Sequence, residues 1–255
     1  MGKAAERPPY ERLAQYYDVL FTEHRAWMEA ARATILGRIL DRAECACDLA
    51  CGTGTTAIAL ARRGIRMYGV DGSQAMCRIA REKVRRAGLS VRIIHADMRD
   101  FRLPEPVDVI TCEGDAVNHV PQKDDLAGVA NSAARALRPG GYLFLDVNNS
   151  PAFRNVWPLA FWTEKPSLAV AMHGGYDAAR DSAWSDVEMF VRRGRDWRRL
   201  HEHIEEVCWT SLEMRETLAR AGFDEVRAWD AAPFLQIPAF RRGYRTFYRA
   251  RRLRA

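Results

Sequence analysis

The spacing of apolar and polar positions divides the chain into segments of different period. Between residues 12 and 42, Leu13, Tyr17 and Leu20, then Trp27, Ala30, Ile35, Ile39 and Leu40, recur among charged residues at helical intervals and predict entry helices. A short apolar run over 45–50 meets Gly52 and Gly54 and gives way to a helical pattern over 55–63. The alternation then repeats: a strand at 66–70 with a helix over 73–86, a strand at 91–95, a strand at 107–112 with a helix over 123–137, and a strand at 142–147. Gly88, Pro104, Pro106, Pro139, Gly140 and Gly141 punctuate it as turns. Strands alternating with helices of this length predict an α/β fold whose mostly parallel sheet is covered on both faces.

The pattern changes after Asn148. Residues 150–183 are rich in Trp, Pro, Gly and Ala without a clean period, and are expected to form a loop and cap over the carboxyl end of the sheet. From Ser185 the period becomes two, with Val187, Met189 and Val191 on one face, a turn at Arg193-Gly194-Arg195, and Leu200 to Trp209 interleaved with charges. This predicts an antiparallel hairpin or meander. A helix from Ser211 to Ala221, with Ser211 as N-cap and Gly222 as stop, precedes a strand at 226–229 and a last strand near 244–250. The expected organisation is a core with N-terminal helices over 1–149, an antiparallel cap over 150–210, and a helix and strands over 211–255 that complete the core sheet.

A chain of 255 residues with 48% hydrophobic content can bury one full α/β core. The formal net charge of +6 comes almost entirely from arginine and is spread along the chain, which argues against a dedicated nucleic-acid surface. Cys45, Cys47, Cys51, Cys77, Cys112 and Cys208 sit mostly in apolar runs or beside glycines, as expected of a chain kept in a reducing cytoplasm. The first residues carry no apolar signal core, and no apolar stretch approaches the ~18 to 20 residues that span a bilayer. A monomer or homodimer with no membrane association is expected.

The candidate chemistry lies where strands end. In Asp48-Leu49-Ala50-Cys51-Gly52-Thr53-Gly54-Thr55, glycines between a strand and a helix let the backbone approach a ligand at the carboxyl edge of an open sheet. Ala57 stands where a dinucleotide fingerprint carries its third glycine, which weakens NAD without excluding it. Asp48 suits an ammonium-bearing ligand better than a pyrophosphate, which a carboxylate repels. In Gly69-Val70-Asp71-Gly72-Ser73 a second acid closes the next strand, placed to accept from ribose hydroxyls. In Ala96-Asp97-Met98 a third acid suits an adenine amino group, and the methionine packs against a ring face. Three acids ending three successive strands describe a crevice shaped for a nucleoside.

These strings, with Pro139-Gly140-Gly141 before Tyr142-Leu143-Phe144-Leu145-Asp146, resemble class I S-adenosylmethionine-dependent methyltransferases. The opening Tyr10-Glu-Arg-Leu-Ala-Gln-Tyr16-Tyr17-Asp18 and the later His201-Glu-His-Ile-Glu-Glu are similar to a bacterial small-molecule subgroup that includes aminosugar N-methyltransferases. The resemblance implies a Rossmann-like, doubly wound, mostly parallel seven-stranded sheet with N-terminal entry helices and an inserted antiparallel cap. It implies S-adenosyl-L-methionine as cofactor, with Asp48, Gly52 and Gly54 at its methionine end, Asp71 at the ribose, and Asp97 and Met98 at the adenine. Ala50, Gly72, Met76 and Glu113 complete the implied cofactor set, and Tyr17 closes over it. The implied activity is in-line transfer of a methyl group to N or O of a small-molecule acceptor.

After the fourth strand, Glu113, Asp115 and His119 are the candidate catalytic residues on the acceptor side, with His119 the best single base at neutral pH. Loop hydrogen bonding is the competing role for all three. Cys45, Cys47 and Cys51 read more readily as small core residues than as metal ligands, and no metal is expected. His201 and His203, two apart on one strand face, are candidates for acceptor contact or, with His173, for a metal. Tyr16 is a weaker cofactor candidate than Tyr17. The arginines from Arg241 to Arg254 are expected to be solvated on a final strand. A tRNA or rRNA methyltransferase using that arginine-rich surface, and a binding protein without turnover, stay open as alternatives.

Overall fold

The computed structural model describes residues 10–234 and 241–254, without the side chains of residues 22–25. The reading of residues 1–9 lies outside the described residues. Two sheets organise the chain. The larger contains β1 (Cys45–Leu49), β2 (Arg66–Asp71), β3 (Val91–His95), β4 (Val107–Cys112), β5 (Leu137–Asn148), β10 (Phe223–Asp230) and β11 (Arg245–Arg252), in the order β10-β11-β5-β4-β1-β2-β3. Every neighbouring pair from β5 to β3 is parallel, and β11 alone runs against its neighbours. This is the expected seven-stranded doubly wound architecture.

Every residue of β1 is buried, as a strand covered on both faces requires. Cys45, Cys47 and Leu49 face one core layer with α5 (Lys123–Ala136) and α7 (Ser211–Arg220), and Ala46 faces the other with α2 (Thr22–Leu40) and α3 (Thr55–Ala61). Helix α4 (Gln74–Arg86) covers β2 and β3. The chain leaves β1 toward β2 on one side and returns to β4 on the other. The loops after β1 and β4 therefore diverge around one crevice at the carboxyl edge, the usual ligand position in such sheets.

The second sheet, β6-β7-β8-β9, is antiparallel and built from β6 (Phe161–Lys165), β7 (Leu168–Asp177), β8 (Ser182–Arg193) and β9 (Asp196–Val207). The expected meander is present, but the segment read as loop up to residue 183 contains a helical turn, α6 (Ser150–Asn155), and two of these strands. β6 is an exposed edge strand, so no apolar alternation announces it. In β7 the alternation breaks at Gly174 and Gly175, because a Cβ on Gly175 would meet the Trp184 indole of β8 at 2.8 Å.

One boundary also differs. Helix α7 is capped by Thr210, not Ser211, through a reciprocal capping box with Glu213, since the threonine has the extended backbone that lets its hydroxyl reach back. The short helix α1 (Ala14–Leu20) lies across the junction of the two sheets. Among the described residues no helix is long and apolar enough to cross a membrane.

Candidate active site

The glycine loop is shaped by its backbone. Ala50, Gly52 and Gly54 all have positive φ, and a Cβ on Gly54 would press on Ala80 of α4 at 3.1 Å. A Cβ on Gly52 would meet no protein atom within 4 Å and would project into open space. Keeping that space clear is what a ligand lying on the backbone requires.

Asp48 is 3% exposed, and its carboxylate accepts from the Ala57 amide at 3.1 Å and the Thr111 hydroxyl at 3.0 Å. It ties β1 to the first turn of α3 and to β4, so its reach toward a ligand passes through the loop it holds. Asp71 accepts from the Gly52 amide at 2.7 Å and the Ser73 amide at 2.8 Å, bringing the ends of β1 and β2 together. Asp97 is half-exposed and clasped by Arg99, which holds its carboxyl below the usual range. Met98 packs against the main core, and Gly72 accepts from His95 through its carbonyl if that nitrogen is protonated.

Burial, then the neighbouring Glu113, pushes the Asp48 carboxyl up to about 7. The folded chain thus binds that proton more tightly than the unfolded chain, so the contribution favours folding at low pH and is lost as pH rises between about 4 and 7. The thermal midpoint of the natural protein is expected to fall relative to that of Asp48→Asn across that interval. A difference between the two that does not change with pH would show Asp48 ionised throughout.

Glu113 lies beneath the glycine loop. Both its oxygens accept from Arg32 of α2, at 2.8 and 2.6 Å, and one also accepts from Thr56 at 3.2 Å. The pair is nearly solvent-free, so Glu113 is committed to this contact and is not open to an acceptor. Asp115, in left-handed backbone after β4, accepts from Asn148 Nδ2 at 2.5 Å and from Arg245 at 3.1 Å. Arg245 also binds Asp146, which in turn accepts from the Gly114 and Asp115 amides at 2.8 and 2.9 Å. His119 ends the 3₁₀ turn Ala116–His119. Its Nε2 accepts from the Tyr10 hydroxyl at 3.0 Å when Nδ1–H donates to the Glu205 carbonyl at 3.3 Å. Burial lowers its basicity, and both ring nitrogens are engaged.

The segment 10–20 roofs the crevice. Glu11 accepts from Ser73 at 2.9 Å, Asp18 from Thr53 at 2.6 Å and from Lys83 at 2.7 Å, and Glu202 of β9 accepts from the Arg12 and Leu13 amides. Tyr17 and Tyr10 meet edge to face with centroids 6.0 Å apart, over Met76. Tyr16 packs instead in the cap cluster with Leu13 and Met189.

Other candidates lie apart. Cys45 and Cys47 pack in the main core, whereas Cys51 joins Ile58 and Cys77 in a separate cluster. His201 and His203 face outward from β9, paired with Glu188 and Asp186, on the side opposite the inward Glu202 and Glu206. His173 lies edge to face with Trp184. The expectation of solvated arginines fails at Arg245, which is 2% exposed because Asp146 and Asp115 compensate its charge. Arg249 donates to the Ile35 carbonyl and lies over Trp229, so it too is held inside the fold. Arg32, Arg245, Tyr10 and Glu206 were not anticipated as site residues; their partners are distant in sequence, and only the odd placement of charge within apolar patterns marks them.

Comparison with known proteins agrees with this geometry. Residues 46–141 match the family model described as methyltransferase domain. The chain is 31% identical to a cypemycin N-terminal methyltransferase from Streptomyces over 185 residues, 72% of this chain and 74% of the relative. The fold matches an S-adenosylmethionine-dependent methyltransferase of Clostridium acetobutylicum with a TM-score of 0.80 at 22% identity, covering 96% of this chain and 99% of that one. It matches the sugar N-methyltransferase KedS8 of Streptoalloteichus with a TM-score of 0.76 at 21% identity, covering 99% and 97%. With a glycine loop at the switch point, carboxylates closing successive strands and these relatives, the chain belongs to the class I S-adenosylmethionine-dependent methyltransferase family.

Proposed function

We propose that this enzyme methylates a small molecule at nitrogen, in the crevice between the glycine loop and the antiparallel cap. The curated relatives include O-methyltransferases as well as N-methyltransferases, so the acceptor atom is argued from the site. The observation that carries the reading is the concentration of carboxylates beside the roof, with Asp115 facing Tyr10 and Tyr17 where an acceptor would enter. Asp115 and Asp146 together outweigh the single guanidinium of Arg245, and a net negative surround favours a cationic acceptor and stabilises positive charge developing on its nitrogen.

The residues present fit the donor. The unobstructed face of Gly52 leaves room for it along the backbone, Ala50, Gly54 and Asp48 shape that loop, Asp71 with Gly72 offers a carboxylate to the ribose, and Asp97 with Met98 flanks the adenine position. Met76 and Tyr17 close the remaining side. S-adenosylmethionine supplies a sulfonium methyl group, whose bond to sulfur breaks as the acceptor's lone pair forms the new one. The protein's part is to hold the acceptor in line and keep water out. Glu113 secures the loop through Arg32, and His119 acts through the Tyr10 hydroxyl rather than by taking a proton itself. We further propose 150–210 as the acceptor cap, with 1–149 and 211–255 as the donor-binding unit acting as a monomer or homodimer in the cytoplasm.

Label from methyl-tritiated S-adenosylmethionine is expected to enter small amines in a metabolite extract and to be absent from the RNA fraction. Label confined to RNA, or binding of the nucleoside without any transfer, would overturn this reading.

A further inference from the structure

Strand β9 presents Glu202, Ile204 and Glu206 inward. Glu202 is spent on the roof and Ile204 on the cap core. Glu206 is different. It is 6% exposed, and its Oε2 is buried without a hydrogen-bond partner. Its position is fixed from both sides, because the Glu205 carbonyl receives His119 and the Val207 carbonyl accepts from Asn118 Nδ2 at 2.7 Å. The carboxyl therefore lies against the 3₁₀ turn after β4, beside Asp115 and Asn148. The Asn148 amide oxygen is a second buried acceptor with no donor, and it is held in orientation because Nδ2 of the same side chain is committed to Asp115. Once Glu206 is ionised these are two buried acceptors without donors, which is costly unless a ligand supplies them.

We propose that Glu206 is the base that deprotonates an alkylammonium acceptor, with Asn148 Oδ1 receiving a second N–H, so that the site selects amines over alcohols. An ammonium brings three donors, whereas a hydroxyl brings one and leaves an acceptor unmet. The inference rests on the methyl-transfer reading and names its substrate class.

The groups facing Glu206 are Tyr10 from the roof, Asp115 after β4, Asn148 of β5 and Arg245 of β11. Burial, then Asp115, raises the Glu206 carboxyl well above the usual range, which favours its protonated form before an acceptor arrives. An arriving ammonium stabilises the carboxylate, and the carboxyl proton leaves to water. One N–H proton then passes to Glu206, giving a neutral amine beside a neutral acid in a site that disfavours separated charge. The nitrogen lone pair forms the N–CH3 bond as the S–CH3 bond breaks, and the methylated ammonium departs with Glu206 again protonated. Substrate ammonium and sulfonium thus become methylated ammonium, thioether and one released proton.

Two measurements test this. In protein carrying 13C-labelled glutamate and loaded with S-adenosylhomocysteine, the Glu206 carboxyl resonance, assigned with Glu206→Gln, is expected to be protonated at pH 7. Methylammonium chloride should ionise it, and equal sodium chloride should not. A resonance already ionised, or indifferent to methylammonium, overturns the proposal whatever the turnover. For an acceptor found by label transfer, Glu206→Gln is expected to lower kcat about 100-fold with S-adenosylhomocysteine affinity unchanged. Unchanged kcat with an amine, or equal methylation of the matching alcohol, also overturns it. Absence of nucleoside binding in the natural protein would instead overturn the family reading on which it rests.

Discussion

Replacing Arg245 by leucine is expected to destabilise the fold by about 3–5 kcal/mol, the usual cost of removing one partner from a buried ionic group. Asp146 and Asp115 would be left without the guanidinium that offsets their burial. Asp146 would keep the Gly114 and Asp115 amides, but the link from β11 to the loop after β4 would be gone. Urea unfolding measures the effect, with Arg242→Leu as an exposed control expected to stay within about 0.5 kcal/mol of the natural protein. The deficit should narrow as pH falls, because protonated carboxyls no longer need the cation. If Arg245→Leu unfolds like the control, the cluster contributes no net stability and the sheet is held by its apolar layers alone.

Replacing Asp71 by asparagine is expected to weaken S-adenosylhomocysteine binding roughly 10- to 100-fold, as loss of hydrogen bonding to a charged acceptor implies. The carboxylate joins the ends of two strands through Gly52 and Ser73, and it would present its remaining lone pairs to ribose hydroxyls. Titration calorimetry gives the affinity, and thermal unfolding without ligand separates loop damage from lost contacts. An unchanged dissociation constant would remove Asp71 from the donor site.

Much of the architecture was legible because its signals are local. Strands buried on both faces read as apolar runs, helices between them at period 3.6, and a carboxylate after each strand is visible where it stands. The cap was legible only in part. β8 and β9 alternate cleanly, whereas β6 buries nothing and β7 gives up side chains at Gly174 and Gly175 to admit Trp184. The ionic groups were hidden for another reason. Glu113 meets Arg32 across 81 positions and Asp146 meets Arg245 across 99, separations over which no periodicity operates. Asp115 and His119 stand out in the sequence by their place after a strand. Glu206 lay unremarked in a run of alternating charges, where its inward direction depends on a register that only the folded sheet defines.

The roof joins the two halves of the crevice. Residues 10–20 are fastened to the glycine loop through Asp18 and to the cap through the backbone amides that Glu202 receives. One element thus ties the donor loop to the acceptor cap, and a substitution that loosens residues 10–20 is felt on both sides of the crevice at once.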